Sequence, residues 1–381
     1  MKIALVTLYN PFKKTGGGIE TVTYYLSSSF AKLGHEVSII CADSGAINEI
    51  HEEKGINLIT TPVPAKSGNF LRSLMLIKAR KSIRTLDGKG FEIFIGQGGF
   101  CSPLVFNKPK QGKVILVVHT LDWENLANIR DLLRLKKKFE LFSEIFNFFI
   151  LKIWRIIYFA IADELIFVSK IAEKDFKTNY WFFHKKTYVI PNGHPTVEKI
   201  SNERKYDFTY LGRLDKRKGV DLIINAAKIL NERSIKHSIN ILGDGPYADD
   251  LKKIAGNLGL KDIIKFYGHV NREDASKILS ESKGLVLPSF YESDPLVIRE
   301  ALSYGIPCIV PNIPPFNEYI TEGVNGFFFK VGSVSSLASS MEYLIKMDEK
   351  QYVELLHRTL SFTNNRDWEK VALEYLGVFA K

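Results

Sequence analysis

The sequence predicts an α/β protein made of two doubly wound domains, and three observations carry that expectation. The chain has 381 residues, too many for one ordinary core and about right for two. Short runs rich in Val, Ile and Leu alternate with stretches of helical periodicity, and the rhythm occurs twice. The glycines, prolines and charges that could carry chemistry fall where those runs stop. In doubly wound sheets that is where ligands bind.

In the first half, strands are expected at 3–8, 37–42, 56–60, 91–96, 114–118, 165–169 and 187–190. In the second they are expected at 207–211, 239–242, 264–267, 284–287, 308–310 and 327–330. Continuous apolar strands separated by helices indicate parallel sheets covered on both faces. A polar stretch with a proline at 194–203 (HPTVEKISNE) reads as the linker. Trp368, Val371, Ala372 and Tyr375 recur at helical spacing near the C-terminus, so Trp368 is expected to pack rather than to bind sugar.

Residues 130–162 break the rhythm. Five basic residues, Arg130, Arg134 and Lys136–Lys138, precede an aromatic run that Lys152 and Arg155 interrupt. The uninterrupted apolar length is well short of the roughly 20 residues that cross a bilayer. Two readings stay open: a basic amphipathic helix lying in a membrane interface, or a long helix packed on the first sheet. Residues 156–162 run into a strand and read as core.

Composition narrows the class. With 45% hydrophobic and 25% charged residues the chain is expected to fold and to be soluble. The net charge of +10 suits an anionic partner. A nucleic-acid partner is not expected, because no basic stripe interleaved with exposed aromatics is present. Cys41, Cys101 and Cys308 sit in or beside apolar runs without a CxxC pair, which argues against a disulfide framework or a cysteine zinc site. The first apolar run ends at Asn10-Pro11, too early for a signal peptide.

Two turns could hold an anion. Lys13-Lys14-Thr15-Gly16-Gly17-Gly18-Ile19-Glu20 follows the first strand and opens a helix, but has neither the dinucleotide nor the P-loop spacing. Gly212-Arg213 closes the strand DFTYL, and Lys218-Gly219 precedes the helix VDLIINAAKIL. A planar guanidinium and a mobile ammonium flanking one turn suit a diphosphate better than a single carboxylate. Asp244-Gly245-Pro246 and Gly268-His269 end the next two strands.

The stretch PSFYESDPLVIREALSYGIP, residues 288–307, sets Glu292 before a helix and Glu300 inside it. Pro295 suits the first turn. Amide N–H groups of the 295–297 turn, those of Leu296 and Val297 because Pro295 has none, would face phosphate oxygens, and the two carboxylates would accept from sugar and ribose hydroxyls. Plain helix capping by Glu292 and a solvated Glu300 are the alternative.

Taken together these residues resemble the retaining nucleotide-sugar glycosyltransferases of family 4. The likeness rests on Gly17, Gly18 and Glu20; Gly34-His35-Glu36-Val37; His119; Asn192-Gly193; Gly212, Arg213, Lys218 and Gly219; Gly243-Asp244-Gly245; Gly268; Gly326; and the paired glutamates. It implies two Rossmann-like doubly wound domains facing each other across a cleft, the GT-B fold. The expected domains are 1–195 plus 362–381 on the acceptor side and 196–361 on the donor side. By position, Arg213 and Lys218 would hold the donor diphosphate, Glu300 the ribose, and Glu292 the donor sugar. His119 would lie by the reacting sugar. Gly17 and Gly18 would bring backbone close to phosphate and acceptor, and the base would rest near Gly268. No cofactor and no metal are expected, and no Asp-x-Asp pair occurs.

The implied activity is metal-independent transfer of a sugar, with retention, to a saccharide or lipid-linked acceptor. Implied partners are the nucleotide-sugar donor, that acceptor, and an anionic membrane surface reached through 130–155. The expected location is cytoplasmic, peripheral on the inner face of the cell membrane. A nucleotide-sugar epimerase and a non-catalytic sugar or nucleotide binder are the alternatives. Asp294 departs from the family pattern, in which a neutral residue such as Phe is common, and Ser333 replaces an Asp that caps a helix start, a role Ser also fills.

Overall fold

The computed structural model describes residues 1–12, 17–43, 50–53, 55–63, 76–98, 102–119, 152–195, 204–292, 294–362 and 366–381. Lys13–Gly16, Cys101, the basic run within 130–151 and most of the expected linker lie outside them. The chain forms two compact units, Met1–Asn192 with Trp368–Lys381, and Gly193–Asp367.

The first unit holds strands β1 (Lys2–Tyr9), β2 (Glu36–Asp43), β3 (Ile50–Glu53), β4 (Ile56–Pro62), β5 (Ile93–Gln97), β6 (Lys113–Val118), β7 (Glu164–Phe167) and β8 (Lys186–Val189). They form one sheet in the order β3-β4-β2-β1-β5-β6-β7-β8. All neighbours are parallel except β3 and β4. Ile3, Ala4, Leu5 and Val6 of β1 have no exposed surface, as expected for a central strand covered on both faces. The strand order reverses between β1 and β5, whose C-terminal ends form the switch point.

Helix Gly18–Lys32 follows β1. Glu20 Oε2 accepts from the Gly17 amide at 2.8 Å, which satisfies one of the donors a helix start leaves open. The C-terminal helix Trp368–Phe379 lies on this helix. Trp368 stacks on Tyr25 with centroids 5.5 Å apart, and Phe30 meets Tyr375 and Phe379. Residues 152–161 are helical. Tyr158, Phe159 and Ala162 are buried, and Phe159 packs against Phe176, Tyr180 and Phe183. Among the described residues no helix is long and apolar enough to cross a membrane.

The second unit holds β9 (Tyr206–Leu211), β10 (Ile239–Leu242), β11 (Ile264–Gly268), β12 (Ser282–Val286), β13 (Cys308–Pro311) and β14 (Gly326–Phe329). Their order is β11-β10-β9-β12-β13-β14, all parallel. This is the doubly wound order of dinucleotide-binding sheets, with its switch point between β9 and β12. Helices Val220–Glu232 and Val334–Lys346 pack together, contributing Ile223, Ala227, Leu337 and Met341 to a continuous core. Cys41 and Cys308 are buried cysteines, one in each unit.

Candidate functional site

The turn after β9 is shaped by its own residues. Tyr210, fully buried, donates its hydroxyl to the Arg213 carbonyl at 2.8 Å. Asp215 accepts from the Arg217 amide and starts the 3₁₀ turn Lys216–Lys218. Gly219 then takes φ +64° and opens the helix Val220–Glu232. A Cβ there would stand 2.5 Å from the Pro288 carbonyl oxygen, so this turn lies directly on the one that follows β12. The Phe290 amide donates to the Arg217 carbonyl at 2.9 Å and ties the two turns.

A third turn braces the first. Gly243, after β10, has φ +134°, and a Cβ on it would meet the Gly212 oxygen at 1.8 Å. The Gly243 amide in turn donates to the Gly268 carbonyl at 2.8 Å, which brings in the turn after β11. Gly268 itself has φ +67° and open space around it.

Across the switch point, Lys218 Nζ donates to Glu292 Oε1 at 2.6 Å. Ser289 donates to the same oxygen at 2.7 Å. One carboxylate oxygen is thus fixed from two sides, while Oε2 makes no bond to the described residues. Fixing one oxygen leaves the other oriented to accept from a ligand hydroxyl. Ser289 was missed in the sequence, where it reads only as a strand end. The signal was a hydroxyl three residues before a carboxylate in a tight loop.

Arg213 is not drawn into this pair. Its side chain is 66% exposed and approaches Asp215, with Nε 3.8 Å from the carboxylate. It stands on the same turn as Lys218, free to swing onto an anion placed there. Helix Leu296–Ser303 starts after Pro295 with no side-chain cap, so the cap residue leaves the first amides, at Leu296 and Val297, without a side-chain acceptor.

Glu300 lies one turn along that helix and makes no hydrogen bond or ion pair with Lys218 or Glu292. It keeps partial exposure. Its carboxyl is nevertheless pushed up to about 7, because close packing strips it of water, and the charge of Arg272 only partly opposes that.

Asp294 neither points outward nor presents itself to a sugar. Its side chain is 2% exposed. Tyr319 donates to Oδ1 at 2.6 Å and Arg299 Nε at 3.3 Å, while the Arg299 guanidinium lies 4.6 Å from the Tyr319 ring centroid. Burial and the Asp294 carboxylate hold the Tyr319 phenol well above its usual range. The carboxylate is therefore buried and neutralised by Arg299 and Tyr319.

In the first unit, His119 follows β6, is buried, and lies 2.8 Å from Gln97 Oε1 through its Nε2. Gly17 is exposed, but Glu20 occupies its amide; Gly18 begins the helix. Among the described residues no three His, Cys, Asp or Glu side chains gather as a metal site.

Two family models match end to end. "Glycosyltransferase Family 4" matches residues 16–198, and "Glycosyl transferases group 1" matches 196–356. The chain is a GT-B fold glycosyltransferase related to family 4 and group 1. This glycosyltransferase is 26% identical over 350 residues to an uncharacterized 41.2 kDa protein in the cps region of Klebsiella pneumoniae, covering 86% of each chain. It is 33% identical over 173 residues to the Escherichia coli UDP-Gal:alpha-D-GlcNAc-diphosphoundecaprenol alpha-1,3-galactosyltransferase, covering 41% of this chain and 44% of that one. Several other curated relatives are matched over 35% to 59% of their length. The Anabaena protein HepE, solved with UDP and glucose, superposes with a TM-score of 0.75 over all of both chains at 16% identity.

Proposed function

We propose that this glycosyltransferase moves a sugar from a nucleoside-diphosphate donor, held by the second unit, to a hydroxyl of a saccharide or lipid-linked acceptor. The reading includes retention of anomeric configuration and no metal. One observation carries it: Lys218 meets Glu292 at the switch point of the second sheet, on the turn that also bears Arg213.

In the reaction the bond from the anomeric carbon to the diphosphate breaks, and its electron pair goes to the phosphate oxygen. A bond from the acceptor oxygen to that carbon forms on the same face, and the acceptor proton passes to the departing phosphate. Negative charge thus grows on the diphosphate. Lys218, Arg213 and the amides of Leu296 and Val297 stabilise it more than they stabilise the intact donor, which is what accelerates the step. On binding, Lys218 bridges from Glu292 to phosphate, Glu292 Oε2 accepts from a sugar hydroxyl, and Glu300 accepts from the ribose. Gly268 leaves room for the base, and His119 stands beside the sugar. The UDP named for HepE and for the E. coli relative supports uridine as the first base to try.

We also place the enzyme on the inner face of the cell membrane, at acidic lipid, where a lipid-linked acceptor would be met. Only 152–155 of the expected contact segment is described, and Ile153 there is 58% exposed. Trp181 (74% exposed) and Phe182 are further exposed apolar side chains of this unit, and Lys177 and Lys186, paired with Glu173 and Glu164, are solvent-facing.

The test is a screen of nucleoside-diphosphate sugars for thermal protection, with mass analysis of products formed in the presence of chelator. Protection by one donor and acceptor-dependent release of its nucleotide support the reading. Epimerised donor without an acceptor product, or a complete and reversible loss of transfer with chelator, overturns it.

A further inference from the structure

Gln97 ends β5 at the switch point of the first sheet and is 2% exposed. Its pairing with Val117 puts its side chain on the sheet face that residue 119 shares. There Gln97 Oε1 lies 2.8 Å from His119 Nε2. A carboxamide oxygen only accepts, so this bond requires the ring proton on Nε2 and leaves Nδ1 as the accepting nitrogen of the neutral imidazole.

The other end of the amide is harder to account for by stability. Gln97 Nε2 is buried with no partner among the described residues, and so is the hydroxyl of Thr7 on the adjoining β1. Buried unpaired donors oppose folding, and an apolar residue of similar volume would avoid that penalty. The amide is therefore explained by what its oxygen does.

We infer that Gln97 is a positioning residue for His119: through Oε1 it fixes the tautomer and rotation of the ring beside the transferred sugar. The inference rests on the reading of His119 given above. Held this way, the ring keeps Nδ1 in the accepting form, which suits a saccharide hydroxyl and cannot donate to an anion.

The experiment records long-range ¹H–¹⁵N spectra of ¹⁵N-histidine-labelled full-length protein, above the pH at which the ring titrates. Wild type should show His119 in the Nε2–H form, which needs no variant to check. Gln97→Met removes the acceptor at similar volume and should give mixed tautomers. Its kcat should fall on the order of tenfold, with donor KM changed by less than about twofold. Gln97→Glu keeps an acceptor and should restore the Nε2–H form and much of the rate. An Nδ1–H form in wild type, or an unchanged tautomer in Gln97→Met, overturns the inference. If the tautomer shifts as expected while transfer continues at the wild-type rate, Gln97 does hold the ring. What falls then is the reading of His119 as the sugar's neighbour.

Discussion

Glu292 and Glu300 are eight positions apart in sequence, yet their environments push them to different work. Glu292 is tethered through one oxygen by Lys218 and Ser289. Glu300 has no such cation at bonding distance, and burial raises its carboxyl to about 7. Because the folded-state value lies above the unfolded one of 4.5, the neutral form favours folding. That contribution is fully present below about pH 4.5 and is lost as pH rises through about 7. Donor binding runs the other way, since an ionised carboxylate accepts from ribose hydroxyls more strongly than the neutral acid does. Donor KM is therefore expected to rise as pH falls below 7, and Glu300→Gln should flatten that dependence; a wild-type KM independent of pH between 5.5 and 8 (roughly the window around the raised carboxyl) would contradict it. For Lys218→Ala the expected loss is about 10²–10³ in kcat, the size seen when one preorganised charge-stabilising donor is removed. Single-turnover rates at saturating donor measure it, and an unchanged rate constant would remove Lys218 from the leaving-group role. Asp294 shows where residue-level reading stopped. Its place in the loop was plain, but its partner Tyr319 comes from a turn 25 residues downstream that no local pattern connects to it.

At the scale of elements, the site is a stack of turns whose backbones touch. Gly243→Ala must place a methyl 1.8 Å from the Gly212 oxygen, at φ +134°. Gly268→Ala meets only the left-handed backbone penalty, because the space beside it is open. The expected costs are about 1–2 kcal/mol for Gly268→Ala and clearly more for Gly243→Ala, which has steric overlap added to the strain. Urea unfolding of both variants checks the order; equal costs would mean that the contact relaxes at no expense. The same physics decides what was legible. Thirteen of the strands were readable, since fully buried parallel strands are continuous apolar runs. Strand β3, IHEE, was not: it is an antiparallel edge strand of mixed polarity, defined by its pairing with β4 rather than by its own pattern. The cap at Ser333 was readable because it is local, and Ser333 Oγ does accept from the Ser336 amide. Ser289 and Gln97 were not, because each acts on a side chain that only the fold brings near.

For the whole molecule, the two sheets share one plan, a strand order that reverses once, with candidate chemistry at each reversal. That plan was legible because the apolar rhythm repeats, and it accounts for Lys218, Glu292, Gln97 and His119 all standing at strand ends. The +10 net charge is not used up by a donor diphosphate. Part of it lies on the first unit, where Lys177 and Lys186, solvent-facing although paired with Glu173 and Glu164, stand four residues before Trp181 and four after Phe182 in the chain, aromatic residues that are exposed although Tyr180 and Phe159 are buried. Exposed aromatic rings with lysines nearby in the chain fit the boundary between lipid headgroups and acyl chains. The lysines gain energy only against acidic headgroups, roughly 1 kcal/mol each near such a surface, and lose it to salt. The enzyme is expected to sediment with vesicles containing acidic phospholipid and much less with neutral ones. Replacing Trp181 and Phe182 together with Ala should cut that partition by at least about tenfold, since each ring forfeits its apolar burial. Transfer to a short water-soluble acceptor should continue in the same double variant, because neither ring belongs to the site. Equal partition of the wild type onto acidic and neutral vesicles would show that this surface serves something other than a charged membrane.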